Sequence, residues 1–491
     1  MNSLNLFIRY RRGSFAATIS VLIFFLILPT FTAAEDRALS AIEQPDFLTS
    51  GLYGAGLTFI GTSPYIQLQA QPDFPLGKFN IGLDLVLLYN PYATDADSQF
   101  LAEDGESWDS PSTWLRLIRY VSYGEFYDPF YFRFGELDYL TIGHGSIMSG
   151  YSNYDRRGLS LNFRRSNNRT GVETMLNDFG NPTIFGGRVF HRPFLRVEPE
   201  NNNFFTRFEL GATYLTDIDP NWQEMGEDPL TALGVDVGFP IIERSAFRLD
   251  LYNDFALHHT LVDPDEVIPE EPLALEPVTP TSVTRLESEP IGGDTATEDE
   301  MGFVSGNAIG IGFALPKTIF KIEYRILGDG YIPSVFDYTY HSAKLLSPDP
   351  DAPEFLGLET NVEERRGFYT QLFFSPSPNI QFLGTFEDYN ISNPKLYMAI
   401  AASELIPRFG FRALYTKRDI GEAEDRNFFV DLFNLNEKSA FVVEVSYEVF
   451  PPVVTIVTRE YGFRRVETAE GISQFEPIHK TSFMVGVRAD F

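Results

Sequence analysis

Apolar and polar residues alternate along much of this chain, and this two-residue period limits its fold more than any other feature. Successive side chains of a β-strand point to opposite faces, so the period predicts strands with one apolar and one wetter face. No helical period competes with it in these segments, whose lengths approach the ~9–11 residues of a membrane-crossing strand. The clearest segments are 79–89, 207–214, 233–239, 247–251, 320–326 and 441–449. The sequence therefore predicts an all-β fold.

The alternation continues to the last residue. Counting back from Phe491, every second residue is apolar: Ala489, Val487, Val485 and Phe483. This end of the chain resembles the C-terminal signal of Gram-negative outer-membrane β-barrel proteins, in which the final strand closes on an aromatic residue. The resemblance implies that Phe483, Val485, Val487 and Phe491 are an assembly signal, bound by the barrel-assembly machinery.

The N-terminus has the composition of an export signal. Three arginines precede an apolar run over residues 15–28, and Ala33 and Ala34 stand before the first acidic residue, Glu35. This order is typical of a cleaved secretory signal peptide. The run is shorter than the ~20 residues of a membrane-spanning helix. We therefore expect residues 1–34 to be a signal peptide, residues 35–50 a short periplasmic segment and residues 51–491 the barrel.

Alternation alone does not separate a membrane barrel from a soluble sandwich. In a sandwich the apolar faces pack together and the charged faces meet bulk water. In a membrane barrel the apolar faces meet lipid and the charged faces line a wet lumen. The export signal, the closing aromatic residue and the alternation of short and long connections favour a barrel. We expect a single transmembrane antiparallel β-barrel of about 20 strands, in a range of about 16–22, located in the outer membrane.

Composition excludes several classes of function. The 491-residue chain has a net charge of −30 and no cysteine. Nucleic-acid binding requires clustered Lys and Arg, so no nucleic-acid partner is expected. The absence of cysteine excludes thiolate metal sites and cysteine nucleophiles, and it fits an oxidising compartment in which the fold does not rely on disulfides.

The longest connection, residues 257–301, is strongly acidic and rich in proline. Such a segment buries too little apolar surface to offset the entropy of ordering, so we expect a weakly ordered outer loop. Its carboxylates, and those of residues 90–111, suit weak binding of Ca²⁺ or Mg²⁺, ions that also bridge anionic lipopolysaccharide. The alternative is a solvated, repulsive surface without bound ions.

The residues that oppose the apolar faces carry both signs of charge. Mixed charge suits a water-filled passage, whereas a salt-bridged interior would only stabilise the barrel. At about 20 strands the lumen is too wide for side chains alone to fill. This favours an open passage or a passage closed by loops. The predicted pore-lining residues are Arg133, Arg188, Arg207, Glu209, Asp236, Arg248, Asp250, Lys321, Glu323, Arg325 and Glu444.

Residues 140–153 are the ordered segment that least resembles a strand. Three glycines allow unusual backbone angles there. One interpretation is a loop folded into the lumen as a constriction, with His144, Ser146 and Tyr151 lining it; the other is a loop packed on the outer rim. His144 and Ser146 have no identifiable third catalytic partner, so no enzymatic activity is expected.

Two adjacent histidines raise the question of a metal. His258 and His259 stand beside the acidic loop, with Asp254 and Asp263 nearby in sequence. Adjacent residues of a strand point to opposite faces, so the two rings are not expected to share an ion. We predict no resident metal and no cofactor.

These observations predict a porin-like channel for small hydrophilic solutes, surrounded by outer-membrane lipid and lipopolysaccharide. The alternative is a non-conducting structural or adhesive barrel that acts through its acidic outer loops.

Overall fold

The computed structural model covers the chain in segments. It describes residues 51–94, 99–102, 108, 111–126, 128–153, 156–165, 168–196, 198, 202–219, 229–244, 247–259, 303–338, 340, 364–377, 379–421, 428–436, 438–467 and 473–488. The predicted signal peptide, the segment 35–50, Phe491 and the acidic loop beyond its first three residues lie outside this part, so those predictions stay predictions. Residues 257–259, predicted to start the acidic loop, belong to a strand instead.

The described residues are almost entirely β-strands. The first twelve strands are β1 (Leu52–Ile60), β2 (Ser63–Gln71), β3 (Asp73–Leu76), β4 (Phe79–Leu83), β5 (Leu85–Tyr89), β6 (Phe100–Leu101), β7 (Ile118–Tyr123), β8 (Phe130–Gly135), β9 (Met148–Ser149), β10 (Gly158–Arg164), β11 (Thr170–Leu176) and β12 (Ile184–His191). The next thirteen are β13 (Glu209–Asp217), β14 (Leu230–Arg244), β15 (Phe247–His259), β16 (Phe303–Leu315), β17 (Thr318–Leu327), β18 (Phe336–Asp337), β19 (Arg365–Ser377), β20 (Ile380–Tyr389), β21 (Lys395–Ile406), β22 (Phe409–Lys417), β23 (Ser439–Phe450), β24 (Val453–Glu467) and β25 (Ser473–Arg488). Two short helices, α1 (Pro111–Leu115) and α2 (Phe428–Leu432), lie in connections.

The sheet is antiparallel and closes on itself. From β10 to β17 and from β19 to β25 each strand pairs with the next, β17 pairs with β19, and β8 leads from β7 to β10. The last strand then pairs with the first, with Leu57 opposite Phe483 and Ala55 opposite Val485. Closure removes the exposed strand edges that an open sheet of this size would present. The predicted antiparallel β-barrel is therefore confirmed.

The strand number is slightly higher than predicted. The described sheet contains 23 strands, above the expected range of about 16–22. Interruptions cause the difference: Pro72, which has no N–H to donate, separates β2 from β3, and Asp84 separates β4 from β5. The two-residue β6 pairs with β5, and β7 pairs with β4. Since β4 and β5 are consecutive, β6 and β7 also occupy the position of one strand. When these three pairs are counted as single strands, 20 strands follow one another around the described barrel.

The two faces of the barrel wall differ sharply. On β12 the side chain of Val189 is 52% exposed on the outer face, whereas its neighbour Arg188 is 4% exposed on the inner face. On β25 the outward residues Phe483 and Val485 are 50% and 56% exposed. Val487 shares that face. An outward apolar face with polar residues inside is the arrangement of a membrane barrel.

No described helix is long and apolar enough to cross a membrane.

Candidate functional site: two loops inside the barrel

Two connections fold back into the barrel and meet there. We call residues 137–153, between β8 and β10, loop A, and residues 328–338, after β17, loop B. Strand β9 of loop A pairs in parallel with β18 of loop B, with Met148 opposite Phe336 and Ser149 opposite Asp337. This small sheet is separate from the barrel wall.

The backbone of loop A turns sharply because of its glycines. Gly143, Gly145 and Gly150 have φ angles of 62°, 97° and 67°, a region that costs other residues energy. Leu140 and Tyr151 exchange backbone hydrogen bonds of 2.8 and 2.9 Å, which close the base of the loop. Loop A is therefore a compact hairpin-like unit rather than an extended connection.

Backbone hydrogen bonds join the two loops. The Ser334 N–H donates to the Ser146 carbonyl at 2.8 Å, and the Phe336 N–H donates to the Ile147 carbonyl at 3.1 Å. The Ser334 hydroxyl also donates to the Gly145 carbonyl at 2.7 Å. Displacement of either loop would leave these buried groups without partners, which is costly. The loops therefore dock as one unit, which we call the plug.

The plug has an apolar core that packs against the barrel wall. Met148, Tyr151 and Phe336 have no exposed surface. Burial of such side chains provides most of the free energy that holds a loop in place. The cluster contains Leu137, Ile142, Ile147, Met148, Tyr151, Tyr331, Val335, Phe336 and Tyr340 from the connections, with Met175, Ile184, Leu215, Leu230, Ala232, Ala256, Leu327 and Tyr389 from the wall.

His144 fixes the tip of loop A to three strands. Its ring stacks on Tyr252 of β15 with centroids 4.2 Å apart. Its Nδ1 lies 2.9 Å from an Asp254 carboxylate oxygen and 3.7 Å from one of Asp236. The Lys321 ammonium donates to the His144 carbonyl at 2.5 Å.

Burial alone would lower the pKa of His144, but the carboxylates of Asp254 and Asp236 outweigh it and raise the pKa above its ordinary value. The charged imidazolium therefore strengthens docking below the ordinary pKa of histidine. That contribution is lost as the pH rises through the raised pKa.

Arg188 connects this tip to a second ion pair. Its guanidinium donates to Asp236 at 2.9 and 2.5 Å and to Glu209 at 2.7 Å. Glu209 also accepts from Arg192 at 2.8 Å. Arg188, Asp236 and Arg192 are almost fully buried. Charges removed from water in this way must be paired, and each of these is.

A second charged group lies beside the plug on β17. Glu323 accepts from Lys321 at 2.9 Å and from Arg325 at 2.7 Å, and all three side chains are nearly fully buried. The Tyr252 hydroxyl donates to Glu323 at 2.8 Å. Arg325 reaches on to Glu387 of β20.

His258 holds loop B through its ring nitrogens. Its Nδ1 lies 2.7 Å from the His259 carbonyl, and its Nε2 accepts the Ile332 N–H at 3.0 Å. The ring is 2% exposed and stacks on Tyr331 with centroids 4.9 Å apart. Further along, Asp337 pairs with Lys395 of β21.

One group of side chains has the composition of a metal site. Single ligand atoms of His144, Asp236 and Asp254 lie within 4.8 Å of one another. Arg188 already binds Asp236 through both carboxylate oxygens, and His144 binds Asp254. Internal cations thus balance these carboxylates, and we assign no ion to them. The expectation of no resident metal or cofactor stays a prediction.

The predicted site residues fall into groups that the fold partly brings together. Arg188, Glu209 and Asp236 meet beside His144, and Lys321, Glu323 and Arg325 meet beside the plug. Arg248 pairs with Asp250 at 2.6 Å, and Arg207 pairs with Glu243 at 3.3 Å near the end of β14. Arg133 donates to the Glu136 carbonyl, and Glu444 is buried on β23. Whether these side chains line a solute path stays a prediction.

Loop A contains the three predicted constriction residues. His144 binds the wall, Ser146 accepts from loop B through its carbonyl, and Tyr151 is fully buried in the core of the plug. Tyr151 therefore supports the loop rather than facing a passage. His258 and His259 do not share a partner, because His259 packs on Phe303 with ring centroids 4.4 Å apart.

The sequence did not predict loop B as part of the site. Its aromatic content, with Tyr331, Phe336 and Tyr338 in one short stretch, is the sequence feature that sets it apart from the acidic loops. A surface loop has little reason to carry so many large apolar side chains.

Comparison with known proteins gives a distant likeness. No protein-family model matches the sequence, and neither does any curated protein. OccK9 of Pseudomonas aeruginosa aligns with 8% identity over 89% of this chain and 96% of its own, with a TM-score of 0.30. OccAB1 of Acinetobacter baumannii aligns with 10% identity over 89% and 94%, with a TM-score of 0.26. The copper transporter OprC aligns with 12% identity over 89% and 80%, with a TM-score of 0.32. These values are too low to assign the chain to a family.

Proposed function

We propose that this protein is an outer-membrane channel for small hydrophilic solutes, in which loops A and B narrow the lumen. The observation that supports it is a closed barrel with apolar side chains outside, charged side chains inside and a plug docked in its interior. A barrel of this size encloses more space than its side chains can fill, so its interior holds water, loops or both.

The charges inside favour polar solutes over apolar ones. Arg188, Glu209 and Asp236 form one ion-paired group beside the plug and Lys321, Glu323 and Arg325 form another, and the field of such fixed charges inside the barrel favours polar and charged solutes. We expect no enzymatic activity, because the histidine at the tip of loop A binds structural carboxylates.

The test is conductance of the refolded mature chain in planar bilayers, with a variant that loosens the plug. Asp337→Asn weakens the link between loop B and Lys395 on β21. We expect the wild type to conduct and the variant to conduct more or to flicker more often. Asp128→Asn is the matched control, because it breaks a similar pair with Lys78 at a remote turn. A folded barrel without conductance in all three proteins would contradict the channel.

The alternative is a non-conducting barrel that acts through its acidic outer loop. That loop lies outside the described residues, so no contact in the structure favours it. Deletion of residues 263–300 should abolish partner binding under this alternative but leave solute flux nearly unchanged under the channel proposal.

A further inference from the structure

Two histidines hold the plug, His144 at the tip of loop A and His258 of β15 beside loop B, and the contacts of the two rings favour different protonation states. The His259 carbonyl can only accept, so Nδ1 of His258 must carry a proton. The Ile332 N–H can only donate, so Nε2 of His258 must have a free lone pair. These two contacts together define a neutral imidazole.

Protonation of His258 would break the contact with loop B. A proton on Nε2 would point at the Ile332 N–H, and two donors would face each other in a site that is 2% exposed. The backbone N–H of Ile332 would lose its acceptor, and the new charge would be buried. Acidification therefore acts directly against the docking of loop B.

The contacts of His144 favour the opposite, charged state. Its Nδ1 faces two carboxylates, Asp254 at 2.9 Å and Asp236 at 3.7 Å, so the imidazolium is the form that these strands stabilise. A neutral ring with its proton on Nδ1 would keep the hydrogen bond to Asp254 but lose the charge. A rise in pH therefore weakens the docking of loop A without abolishing it.

We propose that loops A and B form a pH-sensitive plug, docked while His258 is neutral and held most firmly while His144 is charged. Because the two loops share the Ser334–Ser146 and Phe336–Ile147 backbone hydrogen bonds, release of one loosens the other. Docking then has an optimum in pH, with a steep acid limb and a shallow alkaline limb.

The charged and titratable groups around both rings are consistent with this assignment. His144 faces Asp236 of β14, Asp250, Tyr252 and Asp254 of β15, Arg188 of β12 and Lys321 of β17. Around His258 are Tyr331, its neighbour His259 and Arg365, whose guanidinium donates to the Tyr331 carbonyl at 2.7 Å. The first setting favours a cation and the second does not.

The effect on solute flux rests on the channel function proposed above, whereas the docking itself does not. Docking is therefore measured separately, by electron paramagnetic resonance of nitroxide labels on the full mature chain in bilayers. The sequence contains no cysteine, so each introduced cysteine carries the only label. Ser146→Cys reports loop A, Pro333→Cys reports loop B, and Ser63→Cys at the start of β2 reports the wall.

We expect the mobile fraction of both loop labels to rise severalfold between about pH 7 and about pH 4, and to rise less between about pH 7 and about pH 9. The label at residue 63 should not respond. A constant mobile fraction for the wild-type loops across this range would overturn the proposal.

Variants assign each limb to one histidine. His258→Gln supplies a neutral acceptor for the Ile332 N–H and should remove the acid limb, and His144→Asn supplies a neutral donor and should remove the alkaline limb. His191→Gln, on an exposed ring that contacts Thr170, is the matched control and should keep both limbs. An acid limb that survives in folded His258→Gln would assign it to carboxylates such as Asp337 instead and contradict the proposal.

Conductance under the same conditions separates the two proposals. If the labels respond and the current does not, the plug is pH-sensitive but the channel proposal fails. If the current is present but the labels do not respond, the channel stands and the pH-sensitive plug is wrong.

Discussion

At the residue scale, the stability of the barrel depends on buried charges that share partners, such as Glu323, which binds both Lys321 and Arg325. Alternation places Glu323 and Arg325 on the inner face, as expected. It does not show that Lys321 and Arg325 both bind Glu323, because the closeness of their atoms depends on side-chain rotamers. Likewise Asp254 lies near His144, which is 110 positions away, only because a loop folds inward.

Glu323→Gln should be strongly destabilising, because it leaves two buried cations without their shared partner. We expect a loss of about 3–5 kcal/mol in the free energy of unfolding, measured by denaturant titration in lipid vesicles. The matched control, Glu364→Gln, removes a carboxylate from an exposed pair with Arg366 and should change stability little. Equal effects of the two substitutions would contradict the buried network.

Gly310→Ala should also destabilise the barrel, because a Cβ at this position would collide with the Tyr252 ring. Overpacking of this kind costs about 1–3 kcal/mol. The control is Gly462→Ala on β24, where a Cβ would meet no neighbour within 4 Å. The same denaturant titration compares them, and a tolerated Gly310→Ala would mean that Tyr252 does not pack there.

At the element scale, strands were predictable and inward-folded loops were not. The two-residue period identifies strands such as β14 and β23 because one face of each meets a different environment from the other. Loop A stood out through its glycines, but the same glycines suit a rim loop equally well. The sequence of loop B shows no periodic pattern. Its links to loop A are backbone hydrogen bonds, which any residue can make, so they leave no mark in the sequence.

The fit of loop A against β14 can be tested by exchanging size across the contact. A Cβ on Gly234 would lie 2.9 Å from the Ile147 side chain, so Gly234→Ala should push loop A away from β14 and mobilise a label at residue 146. Adding Ile147→Val should restore docking, because it shortens the opposing side chain. A double variant no better docked than Gly234→Ala would show that the two residues do not contact each other.

At the scale of the whole molecule, the barrel closes where the last strand, β25, pairs with the first, β1. The sequence predicted the class of fold and nearly its size, because lipid outside and water inside impose one rule on every strand. The exact segmentation was not predictable, since it depends on local interruptions at Pro72 and Asp84. Nor could the sequence show that the plug contacts strands from β11 to β21.

The central claim is that apolar side chains on the wall face acyl chains while their neighbours face the lumen. Single-cysteine labels at successive positions 482–487 of β25, in bilayers, measure this through quenching by a lipid-soluble quencher. Phe483, Val485 and Val487 are outward in the structure, so labels there should be strongly quenched, and labels at the positions between them should be weakly quenched. Uniform quenching along the strand, or the reversed alternation, would contradict the account.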